Sequence, residues 1–185
     1  MFSLNEKVVY PGHGVARINS LVKKTMAGKE TTFYELTFLS KDVTVLVPTN
    51  NADSVGIRPL SSDEHIQTIF KLLAEPARRI VQYEFIASNW NKRNKEYQNK
   101  LRTGSLNDLS EIYRDLRYIA TQKELSFGEK NLLQQAEILL IEEVALVRQV
   151  SEEKAIEQLR SLCAAHRQKH APEEFTSKTK YIEVL

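Results

Sequence analysis

The sequence predicts an α+β protein: a small curled antiparallel β-sheet at the N-terminus, followed by a compact all-α helical bundle. Three observations carry this. Residues 1–60 break into short runs rich in β-branched and aromatic residues, separated by turn clusters. Past Leu60 the spacing of apolar residues changes from alternation to the helical period. The helical segments are short, amphipathic and closely connected, as in an antiparallel bundle.

KVVY is the first strand, and PGHG is the turn cluster after it. VARINSLVKK leads to MAGKE, where Gly28 can take a positive φ, and TTFYELTFL forms the returning strand. DVTVLVP alternates, with Val43, Val45 and Val47 on one side and Thr44 and Leu46 on the other. Such strands suit a small antiparallel barrel or curled sheet. A unit of this size buries little core and is expected to lean on its neighbour.

SSDEHIQTIFKLL places Ile66, Ile69, Phe70 and Leu73 at helical spacing behind a capping box read as Ser61–Glu64, and Pro76 interrupts it. Residues 76–89 fit either a helix running toward Trp90 or a partly ordered arm. Ser105 and Asp108 open a helix carrying Leu109, Ile112, Tyr113, Leu116 and Ile119. Ser126–Phe127–Gly128–Glu129 is a second capping box, ahead of Leu132, Leu133, Ala136, Leu139 and Leu140. Ser151 caps a last helix with Ile156, Leu159, Leu162 and Cys163 inward. The expected division is a sheet domain over 1–60, a helical domain over 61–165 and a loosely held tail over 166–185.

Net charge is +2 over 185 residues, but it is unevenly spread. Residues 76–102 hold seven Lys/Arg against two Asp/Glu, and residues 103–163 hold seven against eleven. A basic segment beside an acidic one implies a directed electrostatic footprint. Cys163 is the only cysteine, which excludes an intramolecular disulfide. The N-terminus shows no basic stretch followed by an apolar one, and no apolar run approaches the ~20 residues that span a bilayer. A cytoplasmic protein with no membrane association is expected.

No catalytic constellation emerges, and no metal or cofactor is expected. His13 in PGHG has no ligand or acid–base companion nearby in sequence and reads as a turn residue. Cys163 and His166 share a helix face, yet Cys163 also continues the apolar stripe and reads as structural. Gly12 and Gly14 do not form a phosphate loop, and Glu142 and Glu143 read as the solvated face of a helix. That leaves SNWNKRNKEYQNK, where the only tryptophan, Trp90, stands in the most basic stretch. On a helix, Trp90, Tyr97 and Leu101 share a face, which fits a core anchor. Lys92, Arg93 and Lys95 beside an aromatic ring equally fit a grip on phosphates with the ring against bases.

VVYPGHGVARI, followed by DVTVLVP and NADSVGIRPL, resembles the RNA polymerase-interacting domain of the CarD/CdnL family of bacterial transcription regulators, a module also found in transcription-repair coupling factor. NWNKR, YRDL and LSFGEKNLLQQAEILLIEEVAL are similar to that family's helical DNA-binding domain. The resemblance spans roughly residues 3–165. It implies a Tudor-like curled sheet that docks on the lobe of the polymerase β subunit by strand pairing, with Lys24, Thr44, Val45 and Leu46 on the docking side. It also implies a non-sequence-specific contact with promoter DNA at the upstream edge of the open bubble. There Trp90 would wedge into the minor groove, and Lys92, Arg93 and Lys95 would hold phosphates. Lys24 stands where some members carry arginine, and Leu46 where some carry a basic residue, so the docking surface is expected to be more apolar or matched to a different β lobe. The chain is expected to act as a monomer. Rival readings are a peptide-binding adaptor, which needs an aromatic cage from Tyr10, Phe33, Tyr34 and Phe38, and a DNA-binding repressor, which needs a base-reading helix.

Overall fold

A computed structural model of the chain describes residues 1–26, 28–77 and 87–164. The expected C-terminal tail, His166 and most of the 76–89 segment lie outside the described residues.

The N-terminal part is a curled sheet of β1 (Lys7–Tyr10), β2 (Gly14–Met26), β3 (Lys29–Phe38), β4 (Thr44–Pro48) and the short β5 (Arg58–Pro59). Its order is β4-β3-β2-β1-β5, antiparallel throughout. A register shift between Ile18 and Ser20 bends β2, as an extra residue in one strand does. One face buries Val8, Ala16, Ile18, Tyr34, Leu36, Phe38 and Val47. A one-turn helix, α1 (Ala52–Val55), closes this face with Ala52 and leads into β5. Neither α1 nor β5 carries a periodicity long enough to read from sequence.

The helical part comprises α2 (Asp63–Leu73), α3 (Ala87–Thr103), α4 (Leu106–Gln122), α5 (Phe127–Arg148) and α6 (Glu152–Ala164). The apolar stripes read from the sequence converge in one core: Ile66, Ile69 and Leu73 from α2, Ile112, Leu116 and Ile119 from α4, Leu132 and Leu140 from α5, and Leu159 from α6. Ser105 accepts from the Asp108 N–H, and Ser126 and Glu129 form the reciprocal box expected of them. Ser151 accepts from the Lys154 N–H.

Two expectations are corrected. The cap of α2 is Ser62, not Ser61: the Ser62 hydroxyl accepts from the His65 N–H, while the Ser61 N–H is drawn to a Glu143 oxygen at 2.9 Å. The chain therefore stays extended one residue longer. Glu142 and Glu143 are not on a solvated face; they are 6% and 1% exposed. Every residue from Leu140 to Ala145 is buried, so α5 is covered around its whole circumference over this stretch. The bundle takes one side and β2 of the sheet takes the other. A helix between two layers must present something to each, and α5 presents carboxylates to the sheet.

Candidate nucleic-acid interface and docking edge

β4 is the outer strand of the sheet, paired on one side with β3. Cross-strand partners share a face. Thr44 lies opposite Thr37, Leu46 opposite Glu35, and Lys24 opposite Thr31, so all three stand on one face of the sheet. The Thr44 and Thr37 hydroxyls are 2.8 Å apart, and the Asn19 amide donates to Thr37 at 2.6 Å, which makes a polar row across β4, β3 and β2. Leu46 interrupts that polarity at 37% exposed, and exposed Leu39 and Val43 precede it in the β3–β4 connection and strand entry. Val45 points the other way, into the sheet core. Lys24 sits on the part of the β2–β3 ribbon that runs past the end of β4, whose last pair is Phe33 with Pro48.

The backbone phase of β4 follows from the two bonds that bracket it. Phe38 N–H donates to the Val43 carbonyl at 3.1 Å, and Thr49 N–H donates to the Thr32 carbonyl at 3.0 Å. In an antiparallel ladder such pairs alternate. Val45 and Val47 therefore bond toward β3, and the N–H groups of Thr44 and Leu46 point outward from the edge. Pro48, which has no N–H, falls on an outward position.

Helix α3 carries the basic segment. Trp90 lies in its first turn, and the Trp90 side chain is outside the described residues. Lys92 and Lys95 are exposed. Arg93 is not: its side chain is 18% exposed and its Nη2 lies 3.7 Å from Glu129 Oε1. Glu129 also accepts from Lys123 Nζ at 2.9 Å and from the Ser126 N–H at 2.8 Å. Burial works to raise the Glu129 carboxyl, but Lys123 and Ser126 hold it below its ordinary range. Arg93 therefore ties α3 to the start of α5, which the sequence reading missed because Glu129 is 36 positions away. Tyr97 and Leu101 are the buried face, as their spacing with Trp90 suggested.

The α3 anchor contains a titrating group. The Tyr97 hydroxyl donates to Asp115 Oδ2 at 3.4 Å, and burial pushes the Asp115 carboxyl up to about 6, partly countered by Arg114. Burial raises the Tyr97 phenol too. A carboxyl raised in the folded state binds its proton more tightly there than in the unfolded chain. Its contribution is greatest below the unfolded value, near 4, and is lost as pH rises to about 6. That loss amounts to roughly 2–3 kcal/mol. Asp115→Asn should therefore gain stability relative to the parent between pH 4 and pH 7, read by urea unfolding at both. Parallel stability–pH profiles for the two proteins would remove Asp115 from this role.

The sheet and bundle meet through a polar junction. Arg58 on β5 donates to both Glu143 oxygens, at 2.7 and 2.8 Å, and to the Gly104 carbonyl at 3.1 and 2.7 Å. The PGHG turn packs beside it. A side chain at Gly14 would overlap the Glu142 carboxylate, and one at Gly104 would press on Pro11. Burial raises the Glu142 carboxyl, offset in part by the Val15 N–H and Ser40, although neither Glu142 oxygen attains hydrogen-bond geometry. Arg58 meets Glu143 85 positions away, so no local pattern announces the pair.

Phe33, Tyr34 and Phe38 are buried, and Tyr10 packs edge-on against His13 and Phe38, so these rings form no open cage. His13 is an exposed turn residue. Cys163 is half-buried, and burial pushes its thiol up to about 11. Among the described residues no group of three or more His, Cys, Asp or Glu could hold a metal, and no helix is long and apolar enough to cross a membrane.

Comparison with known proteins gives matches along most of the chain. Residues 2–61 match the family described as "CarD-like/TRCF RID domain", and residues 69–160 match "CarD, C-terminal domain". "Putative transcription factor YdeB" of Bacillus subtilis (strain 168) is 28% identical over 157 residues, covering 83% of this chain and 97% of that protein. The solution NMR structure of the 72-residue N-terminal domain of Myxococcus xanthus CarD shares 29% identity, with a TM-score of 0.29 over 32% of this chain and 79% of that one.

Proposed function

The chain belongs to the CarD/CdnL family of transcription regulators, and from that premise we propose that it docks on the β subunit of RNA polymerase and stabilises the open promoter complex. The observation that carries this reading is the pairing of two surfaces in one molecule. One is an edge strand with outward N–H groups and an exposed leucine. The other is a helix start that bears Trp90 with exposed Lys92 and Lys95. An exposed edge accepts a strand from a partner through main-chain bonds. Thr44 and Leu46 supply that edge, Lys24 flanks it, and Val45 holds β4 to the sheet core. An aromatic ring followed by lysines suits the minor groove beside melted DNA, where the ring resists rewinding and the lysines neutralise phosphates. Such contacts carry no base code, so the action is not sequence-specific. The protein would act as a cytoplasmic monomer, with the bound polymerase choosing the promoter.

The pairing of Arg93 with Glu129 changes the expected salt dependence. Three phosphate contacts would give a slope near about −2.7 in log K against log salt, whereas Lys92 and Lys95 by themselves give about −1.8. Titrating duplex DNA with the full chain over a range of salt should give the shallower value. A slope near the steeper one would mean that Arg93 leaves Glu129 to bind a phosphate. A strong preference for one base sequence at constant salt would favour the repressor reading instead. Pull-down of core polymerase, with and without promoter DNA, tests the partner directly: capture is expected without DNA, and its absence would overturn the docking.

A further inference from the structure

The edge strand and helix α3 belong to different layers, and only the junction between them sets where one lies relative to the other. The junction is unusual in its chemistry. Beside the buried Val9 and Val15, an apolar contact of the kind that tolerates sliding, stands a bidentate guanidinium–carboxylate pair with fixed directions. Arg58 Nη1 and Nη2 meet the two Glu143 oxygens at 2.7 and 2.8 Å, and Glu143 is 1% exposed. The same arginine holds the Gly104 carbonyl, which closes the turn between the end of α3 and the start of α4. Glu143 in addition accepts the Ser61 N–H, at the point where the chain passes from sheet to bundle. One salt bridge therefore grips three things: the last strand of the sheet, the C-terminal end of the helix that carries Trp90, and the crossing chain. The Glu142 carboxylate packs over Gly14, where the turn after β1 meets α5.

We propose that Arg58 and Glu143 are positioning residues that hold the polymerase-docking edge and the DNA-contacting helix at one fixed separation. The inference rests on the functional reading above and adds to it the part that makes two weak contacts act as one. When two sites are joined, the second contact forms at an effective concentration set by the join, and that concentration falls when the join lets the sites wander. A rigid junction matched to the distance from polymerase lobe to bubble edge maximises it. Loosening the junction leaves each surface intact, because each has its own core, and removes the advantage of presenting them together.

The test uses the full chain, core polymerase, holoenzyme and promoter DNA. Arg58→Ala should bind core polymerase and duplex DNA separately within about twofold of the parent, yet shorten open-complex lifetime on the order of tenfold. Arg58→Lys retains the charge without the fork and should fall between. Glu143→Gln, which retains shape and an acceptor for Ser61, guards against a variant that fails to fold and should shift the lifetime in the same direction. Spin labels at Thr25 and Gln98, in a chain with Cys163→Ser, should show a broadened distance distribution in Arg58→Ala. If the parent protects open complexes and a folded Arg58→Ala protects them equally, the positioning role is wrong while the functional reading survives. If polymerase binding, DNA binding and lifetime all fall together in both Arg58→Ala and Glu143→Gln, the pair serves folding and the proposal is overturned. A parent chain with no effect on open-complex lifetime overturns the functional reading itself, and the positioning role with it.

Discussion

Trp90→Ala should release open promoter complexes faster, by roughly 5- to 150-fold under competitor challenge. Stacking of a ring on a base is worth roughly 1–3 kcal/mol, and about 1.4 kcal/mol corresponds to a tenfold change. The lower end of the range is expected, because wedging also costs unstacking of the base step. Thermal unfolding separates this from a core role. A buried tryptophan cut to alanine costs about 3–5 kcal/mol and lowers Tm by many degrees. Here Tm should change little, because Tyr97, Leu101 and Arg93 already anchor α3 to the bundle. Polymerase affinity without DNA should be unchanged, since Trp90 belongs to α3 and the docking edge belongs to β4. Trp90→Phe should retain part of the effect. A folded Trp90→Ala protein that protects open complexes like the parent would sink the wedge.

Leu46→Pro should cut polymerase affinity by a comparable factor while the sheet stays folded. The outward N–H of residue 46 is lost, together with an exposed apolar side chain. A hydrogen bond is worth about 0.5–1.5 kcal/mol net, and covering the 37% of Leu46 left exposed about 0.5–1 kcal/mol. The combined loss of about 1–2.5 kcal/mol is roughly five- to seventyfold. Val45→Pro is the contrasting control. Its N–H points into the β3 ladder and its side chain into the core, so that change should unfold the sheet. Circular dichroism distinguishes the two variants before any binding is measured. Normal polymerase binding by a folded Leu46→Pro protein would mean that another surface makes the contact.

Much of this architecture was legible locally. Strand alternation in TVLVP announced which β4 side chains go inward, because a pleated strand has a period of 2. Ser105 and Ser126 announced two helix starts, because an orphan N–H in a first turn needs a nearby oxygen. The apolar stripes of α2, α4 and α6 named their own core residues, since each of these helices faces one layer. The family motifs and the basic turn at Trp90 were likewise visible without coordinates.

Tertiary contacts decided the charged residues. Arg93 reads as a third phosphate grip in NWNKR, and the fold places its guanidinium 3.7 Å from Glu129. Glu142 and Glu143 look like surface because charged residues usually are, yet the 140–145 stretch of α5 is enclosed by sheet and bundle together. Nothing in a local period reports that a helix has a second layer against its polar face. Whether a charge is solvated depends on what the chain brings to it from far along the sequence, and Arg58 reaches Glu143 only after both layers have formed. Local periodicity and caps thus determined the elements and their inward faces, while long-range pairing of charges decided which basic side chains of α3 stay exposed and how the sheet is joined to the bundle.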